Sequence, residues 1–294
     1  HVTAVRYIDA QGEQELPAES VILAIGHSAR DTFESLLAGG ITLVQKPFSI
    51  GARIEHPQSL INASQYGVAA SHPALGAADY KLSLHLPGGR SVYTFCMCPG
   101  GTVVAAASEP DSVVTNGMSY YARDGVNANS ALLVGVGPED FGSEHPLAGM
   151  FLQREIERRA FVLGGRSGKA PCQTVGDLLS GRASGKLGVV EPSYKPGVVP
   201  CDLAELLPAP LIGAMREALP LLGRRLRGFD LPDAVLTGPE TRSSSPVRIS
   251  RDETFQSVST LGLYPCGEGA GYAGGITSAA VDGVRCAEAI LKAY

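Results

Sequence analysis

A chain of 294 residues, 44% hydrophobic and 18% charged with a net charge of −5, is long enough for one large or two ordinary cores. The acidic balance and the lack of a basic run exclude the electrostatic footprint of a nucleic-acid binder, and no apolar stretch approaches the ~18 residues that span a bilayer. With 36 glycines and no tryptophan, the composition fits a loop-rich enzyme fold rather than a bundle; its few cysteines, read as reduced, suit the cytoplasm, and neither nucleic acid nor membrane is expected as a partner.

From the N-terminus, residues 2–8 alternate as a strand, 10–15 turn, and 20–25 form a continuous apolar run, the pattern of a strand buried on both faces. Gly26, His27 and Ser28 end that run. Residues 31–37 predict a short helix stopped by Gly39 and Gly40. Residues 48–54 and 80–86 read as strands, and 91–97 pair back across the turn 87–89 as a hairpin. Residues 102–107 and 127–136 continue the β character. Residues 146–163, 173–179 and 211–226 read as helices. Residues 235–237 return as a strand, and 260–264 lead toward a helical pattern over 276–292. Local hairpins followed by helices predict an α+β unit at 45–234, inserted into a discontinuous α/β unit made of 1–44 and 235–294.

The segment LGLYPCGEGAGYAGGITSAAVDGVRCA (residues 261–287) carries most of the functional signal. A strand runs into one carboxylate, Glu268, then a loop rich in glycine and alanine, then a helix. Glycines let backbone approach a ligand closely, and the unpaired N–H groups of a helix start favour negative charge. Gly267, Glu268, Gly274, Gly275 and Ile276 are therefore candidates for holding a ligand with hydroxyls and an electron-rich end. The order is not that of a dinucleotide fingerprint, in which the acid follows the glycines by about 20 residues.

A second donor-dense stretch, TRSSSPVR (241–248), offers Thr241, Arg242 and Ser243, with Arg248 suited to bidentate bonds to an anion. NGMSYYARDGVNAN (116–129) carries Tyr121 and Arg123, which suit a substrate cavity or a rim loop equally well. Six cysteines include no CxxC, and the six histidines form neither HxH nor HExxH, so no metal site is expected. Cys96 and Cys98 read as reduced thiols or as a redox pair. His27 reads as a strand cap or as a group at the edge of a cofactor.

Taken together, VILAIGHSARDTF (21–33), FCMCPGGTVVAAASE (95–109), NGMSYYARDGVNANSALLV (116–134), TGPETRSSSPVRI (237–249) and YPCGEGAGYAGGITSAAVDG (264–283) resemble a bacterial family of FAD-dependent (FAD-utilising) dehydrogenases of unknown substrate, two-domain flavoproteins built like glutathione reductase. The resemblance implies α/β plus α+β architecture: a partial FAD-binding, glutathione-reductase-like domain split by a substrate domain. It implies FAD as cofactor, with Glu268 on the ribityl chain, Gly267 beside it, and Gly274, Gly275 and Ile276 at the flavin ring. Thr241, Arg242 and Ser243 are implied near the ring, and Arg248, Tyr121 and Arg123 near substrate. NADH or NADPH is one candidate electron donor. The resemblance further implies that the ADP-binding βαβ unit lies in an N-terminal portion of the same protein, outside this chain. The expected function is a flavin-dependent oxidoreductase in the full-length parent. The alternative is a fragment or binding module that keeps the fold but does not bind FAD by itself.

Overall fold

The computed structural model describes residues 1–293, with side chains through Lys292. The chain opens with strands β1 (Ala4–Asp9), β2 (Gly12–Pro17) and β3 (Val21–Leu23), helix α1 (Arg30–Ala38) and strand β4 (Leu43–Gln45). Then come β5 (Phe48–Pro57), α2 (Gln58–Tyr66), β6 (Ser83–His85), β7 (Ser91–Cys98), β8 (Gly101–Ala105), β9 (Thr115–Ser119) and β10 (Asn127–Val136). Helix α3 (Ala148–Leu163) is followed by β11 (Ala170–Thr174), α4 (Val175–Ser180), β12 (Val198–Pro200), α5 (Ala209–Arg225) and β13 (Val235–Glu240). The last elements are β14 (Val247–Ile249), β15 (Leu263–Pro265) and α6 (Ile276–Ala293). The fold is mixed α/β, and it divides into two compact units.

The first unit comprises His1–Phe48, Gly137–Leu152 and the chain from Ser244 onward. Its strands pair as β3 with β15 in parallel, β4 with β14 antiparallel, and β1 with β2 as a hairpin. Phe33, Leu43, Leu147, Met150, Val247, Ile249 and Ala270 are buried together as its core. Arg251 ties loop to helix: its guanidinium makes a bidentate pair with Asp282 of α6, at 2.6 and 2.9 Å, and lies 3.7 Å from the centroid of the Tyr272 ring. Fork-to-carboxylate geometry and ring stacking are what arginine, and not lysine, supplies.

The second unit, Ser49–Val136 with Gln153–Ser243, is built on a seven-stranded sheet in the order β12-β11-β13-β5-β10-β7-β6. β11 and β12 run parallel, while β11–β13, β13–β5, β10–β7 and β7–β6 are antiparallel. β5 and β10 are buried over almost their whole length, as central strands covered on both faces must be. They approach so closely that a Cβ on Gly51 would fall 1.8 Å from the carbonyl oxygen of Leu132. Gly51→Ala should therefore cost ~3 kcal/mol through overpacking, read as a lower midpoint in chemical denaturation.

Several elements differ from the sequence expectation. Val235–Glu240, expected to rejoin the first unit, hydrogen-bonds between β5 and β11 in the large sheet. Residues 137–152, expected in the insert, cluster with the first unit. The segment at 173 begins as strand β11, and α4 starts only at Val175, where the Thr174 hydroxyl accepts from the Asp177 N–H as its N-cap. Helix α2 and strand β9 lie in segments where no element was expected.

Candidate functional site: the turn between β15 and helix α6

Because β3 and β15 are parallel, their C-terminal ends deliver two loops to one edge, and the Cys266 N–H donates to Leu23 O at 3.0 Å. The loops press together: a Cβ on Gly269 would lie 2.3 Å from the Gly26 carbonyl oxygen. Gly26 and Gly267 have φ of +69° and +76°, a region that L side chains rarely adopt. Gly269, Gly271 and Gly274 carry the GxGxxG spacing in a strand-to-helix turn. Two of these glycines serve the protein's own packing, since Gly271, at φ +84°, lies against the backbone of Val247 and Arg248. Gly269→Ala should cost ~1–3 kcal/mol and loosen the turn, measured by thermal unfolding.

Glu268 stands at the tip. The Gly271 N–H donates to Glu268 O, the Tyr272 N–H to Gly267 O, and the Gly267 N–H to Asp282 Oδ2 at 2.7 Å. The carboxylate is half-buried, with His27 Nε2 at 3.6 Å. Burial raises its pKa, and the positive charge of Lys46 opposes that rise. Lys46, half-buried after β4, has its own pKa lowered, first by burial and then by Arg248, with Glu268 pulling the other way. Among the described residues, its ammonium donates to Pro47 O and Ser245 O, at 3.3 and 3.4 Å. Past the turn, Gly274 and Gly275 face open space, and Ile276 is 93% exposed. The 18-residue helix α6 thus presents an uncovered N-terminal end, equivalent to about half a positive charge.

Below this turn, Cys266, Asp282 and Cys286 place ligand atoms within 4.8 Å of one another, all buried. Arg251 fills the position a cation would take, bonded to both Asp282 oxygens and 3.4 Å from Cys286 Sγ. Burial, and next the neighbouring Cys266, push the Cys286 thiol up to about 12. Sequence spacing gives no sign of this cluster, since 16 and 20 residues separate its members from Cys266.

The other expected site residues are distributed differently. Thr241, Arg242 and Ser243 belong to the second unit and are engaged there. Thr241 Oγ1 donates to Glu157 Oε1 at 2.6 Å, Arg242 Nη2 to Glu157 Oε2 at 3.0 Å, and Ser243 Oγ to Ser49 O at 2.7 Å. Arg242 also bonds the Ser108 hydroxyl. Arg248 is an exposed residue of the first unit, 5.2 Å from the Tyr272 ring centroid. Tyr121 and Arg123 are exposed in the connection from β9 to β10, Arg123 with a φ of +50°. Cys96 and Cys98 are reduced cysteines, Cys96 exposed and Cys98 half-buried. Cys98 donates to Cys96 O, and burial raises its pKa.

The second unit also holds ionisable groups that an apolar strand pattern hides. Arg53 of β5 is fully buried against Glu240 of β13. Glu55 is fully buried too, accepting from Asn127 Nδ2, Ser193 N and Ser193 Oγ. Burial raises its pKa against those bonds. Among the described residues, no helix is long and apolar enough to cross a membrane.

Residues 47–243 match a family model described as "FAD-dependent protein, C-terminal domain-like". An uncharacterised protein of Clostridium beijerinckii is 52% identical over 282 residues, which is 96% of this chain and 53% of that protein. The chain therefore spans about half the length of the relative it matches.

Proposed function

This chain belongs to the FAD-dependent protein, C-terminal domain-like family, and from that premise we propose that the whole protein is a flavin-dependent oxidoreductase whose riboflavin end rests on the turn 267–276. The observation that carries the reading is Glu268, fixed at the turn between a parallel strand pair and the uncovered start of α6. The donor and acceptor set fits the cofactor. An ionised carboxylate accepts from ribityl hydroxyls, and free N–H groups at a helix start suit the electron-rich end of a flavin ring. Gly274 and Gly275 leave room for close approach.

When bound, FAD supplies hydride acceptance from a substrate. The protein's residues bind, orient and tune. Glu268 holds hydroxyls, the start of α6 favours negative charge, and Lys46 and Arg248 add positive charge to the same unit.

The first unit leaves apolar surface uncovered: Ile22 of β3 is 44% exposed, and on α6 Val284 is 59% and Leu291 76% exposed. In this reading that surface packs against the remaining part of the whole protein, which also supplies contacts to the ADP end of the cofactor. Full-length protein mixed with FAD and then desalted should keep the visible flavin absorbance. A colourless protein overturns the proposal.

A further inference from the structure

The second unit contains a cleft of about 560 Å³, bounded by the start of β8, the lead into β10 and the loop 189–193. Its walls are apolar, from Pro57, Val126, Val189 and Pro192. Its polar groups are few, and their bonds fix what they offer. Asn127, only 7% exposed, lines the cleft and donates through Nδ2 to Glu55 Oε1 at 3.1 Å and to the Glu191 carbonyl at 2.8 Å. A backbone carbonyl only accepts, so the amide orientation is set, and Oδ1 is the atom left open. Among the described residues, Oδ1 receives no hydrogen bond.

Ser193 has no hydroxyl to offer. It donates to Glu55 Oε1 and accepts from the Val103 N–H at 2.8 Å. Among the described residues, the charged side chain that lines the cleft is Glu191, exposed at its edge, and no Lys, Arg or His lines it. The wall thus combines apolar surface and the Thr102 hydroxyl with two groups that only accept, an amide oxygen and a carboxylate. Glu55, buried behind Asn127 and Ser193, holds this arrangement from beneath. An apolar ligand here finds two charged or polar acceptors for a donor group, whereas an anion finds the neutral Thr102 hydroxyl and no cation among the lining residues. An anion would meet Glu191 with no compensating cation, and a hydroxyl would gain less than an ammonium beside a carboxylate.

We propose that this cleft is a binding site for a small apolar molecule carrying a protonated amine, with the ammonium held by Asn127 Oδ1 and the Glu191 carboxylate. The site lies wholly within one unit and stands apart from the flavin reading. Titration of the full-length protein by saturation-transfer NMR, at low salt, with benzylamine, benzyl alcohol and benzoate tests it. Flavin absorbance is recorded on the same sample, so a failure of cofactor binding is seen separately. Benzylamine should bind at least tenfold more tightly than either analogue. Glu191→Gln should cut that preference at least threefold, and Val189→Arg, which places a cation at the cleft wall, should abolish amine binding. Both replaced residues are exposed, so folding should persist, and circular dichroism checks it. Benzoate binding as tight as benzylamine, no detectable binding of benzylamine, or a preference unchanged in both variants overturns the proposal.

Discussion

Arg53→Met should lower the unfolding free energy by about 3–5 kcal/mol, because it strands a buried carboxylate. Arg53 is 0% exposed and makes bonds of 2.5 and 2.9 Å to Glu240, which is 4% exposed. The same guanidinium donates to Cys96 O, Asn129 Oδ1 and Asn116 Oδ1, at 2.8 to 3.1 Å. Methionine fills much of the volume but satisfies none of these acceptors. Burial already raises the Glu240 pKa, and Arg53 is what opposes the rise. Without it, the folded state holds the Glu240 proton more tightly than the unfolded chain does. The folded state then binds more protons than the unfolded state, so stability falls as pH rises. The deficit of the variant should grow as the pH rises from the unfolded carboxylate range up through the raised folded value of Glu240. Pairing Arg53→Met with Glu240→Met should restore more than half of the loss, since both charges are then removed together. Urea denaturation at several pH values reads all of this. A single variant as stable as the parent would show that the pair is not buried as described.

Glu268→Ala should weaken FAD retention by the full-length protein about tenfold to a hundredfold, the cost of one charge-assisted hydrogen bond of ~1.5–3 kcal/mol. Glu217→Ala, on the exposed face of α5, should leave retention unchanged. The pH dependence has a definite sign. Burial raises the Glu268 pKa, so the carboxylate takes up its proton at a higher pH than an ordinary glutamate. Protonation removes the charge that strengthens its bonds to hydroxyls. Retention should therefore drop on acidification sooner in the parent than expected for an unperturbed carboxylate, and Glu268→Ala should flatten that limb. Fluorescence of released flavin measures both effects.

Much of the secondary structure was legible in the sequence, and the reasons are local. The predicted helices at 31–37, 211–226 and 276–292 correspond to α1, α5 and α6, since each has a helical apolar spacing with glycine, proline or polar residues at its ends. The run at 20–25 does contain a strand, β3, but only Val21–Leu23, because its partner β15 is equally short. What stayed hidden was long-range. Val235–Glu240 pairs with β5 across some 180 residues, and no window of sequence reports such a partner. The charged core of β5, with Arg53, Glu55 and His56 all fully buried, interrupts the apolar pattern that marks a central strand.

At the candidate site, Glu268 and the glycines could be named because an isolated acid before a glycine loop is an unusual pattern. Lys46 could not, because a lone lysine before a proline reads as surface until β4 and β14 pair and bring it into the electrostatic reach of Glu268. The reverse happened at Thr241, Arg242 and Ser243. Donor density read as ligand binding, whereas Glu157, Ser108 and Ser49 take up those donors within the second unit.

Amide hydrogen exchange of residues 267–278 in the full-length protein, with and without FAD, tests the placement of the flavin most directly. The N–H groups at the uncovered start of α6 should exchange at least tenfold more slowly when FAD is bound, and Glu268→Ala should reduce that protection. FAD bound to the protein with exchange in this segment unchanged would contradict the account.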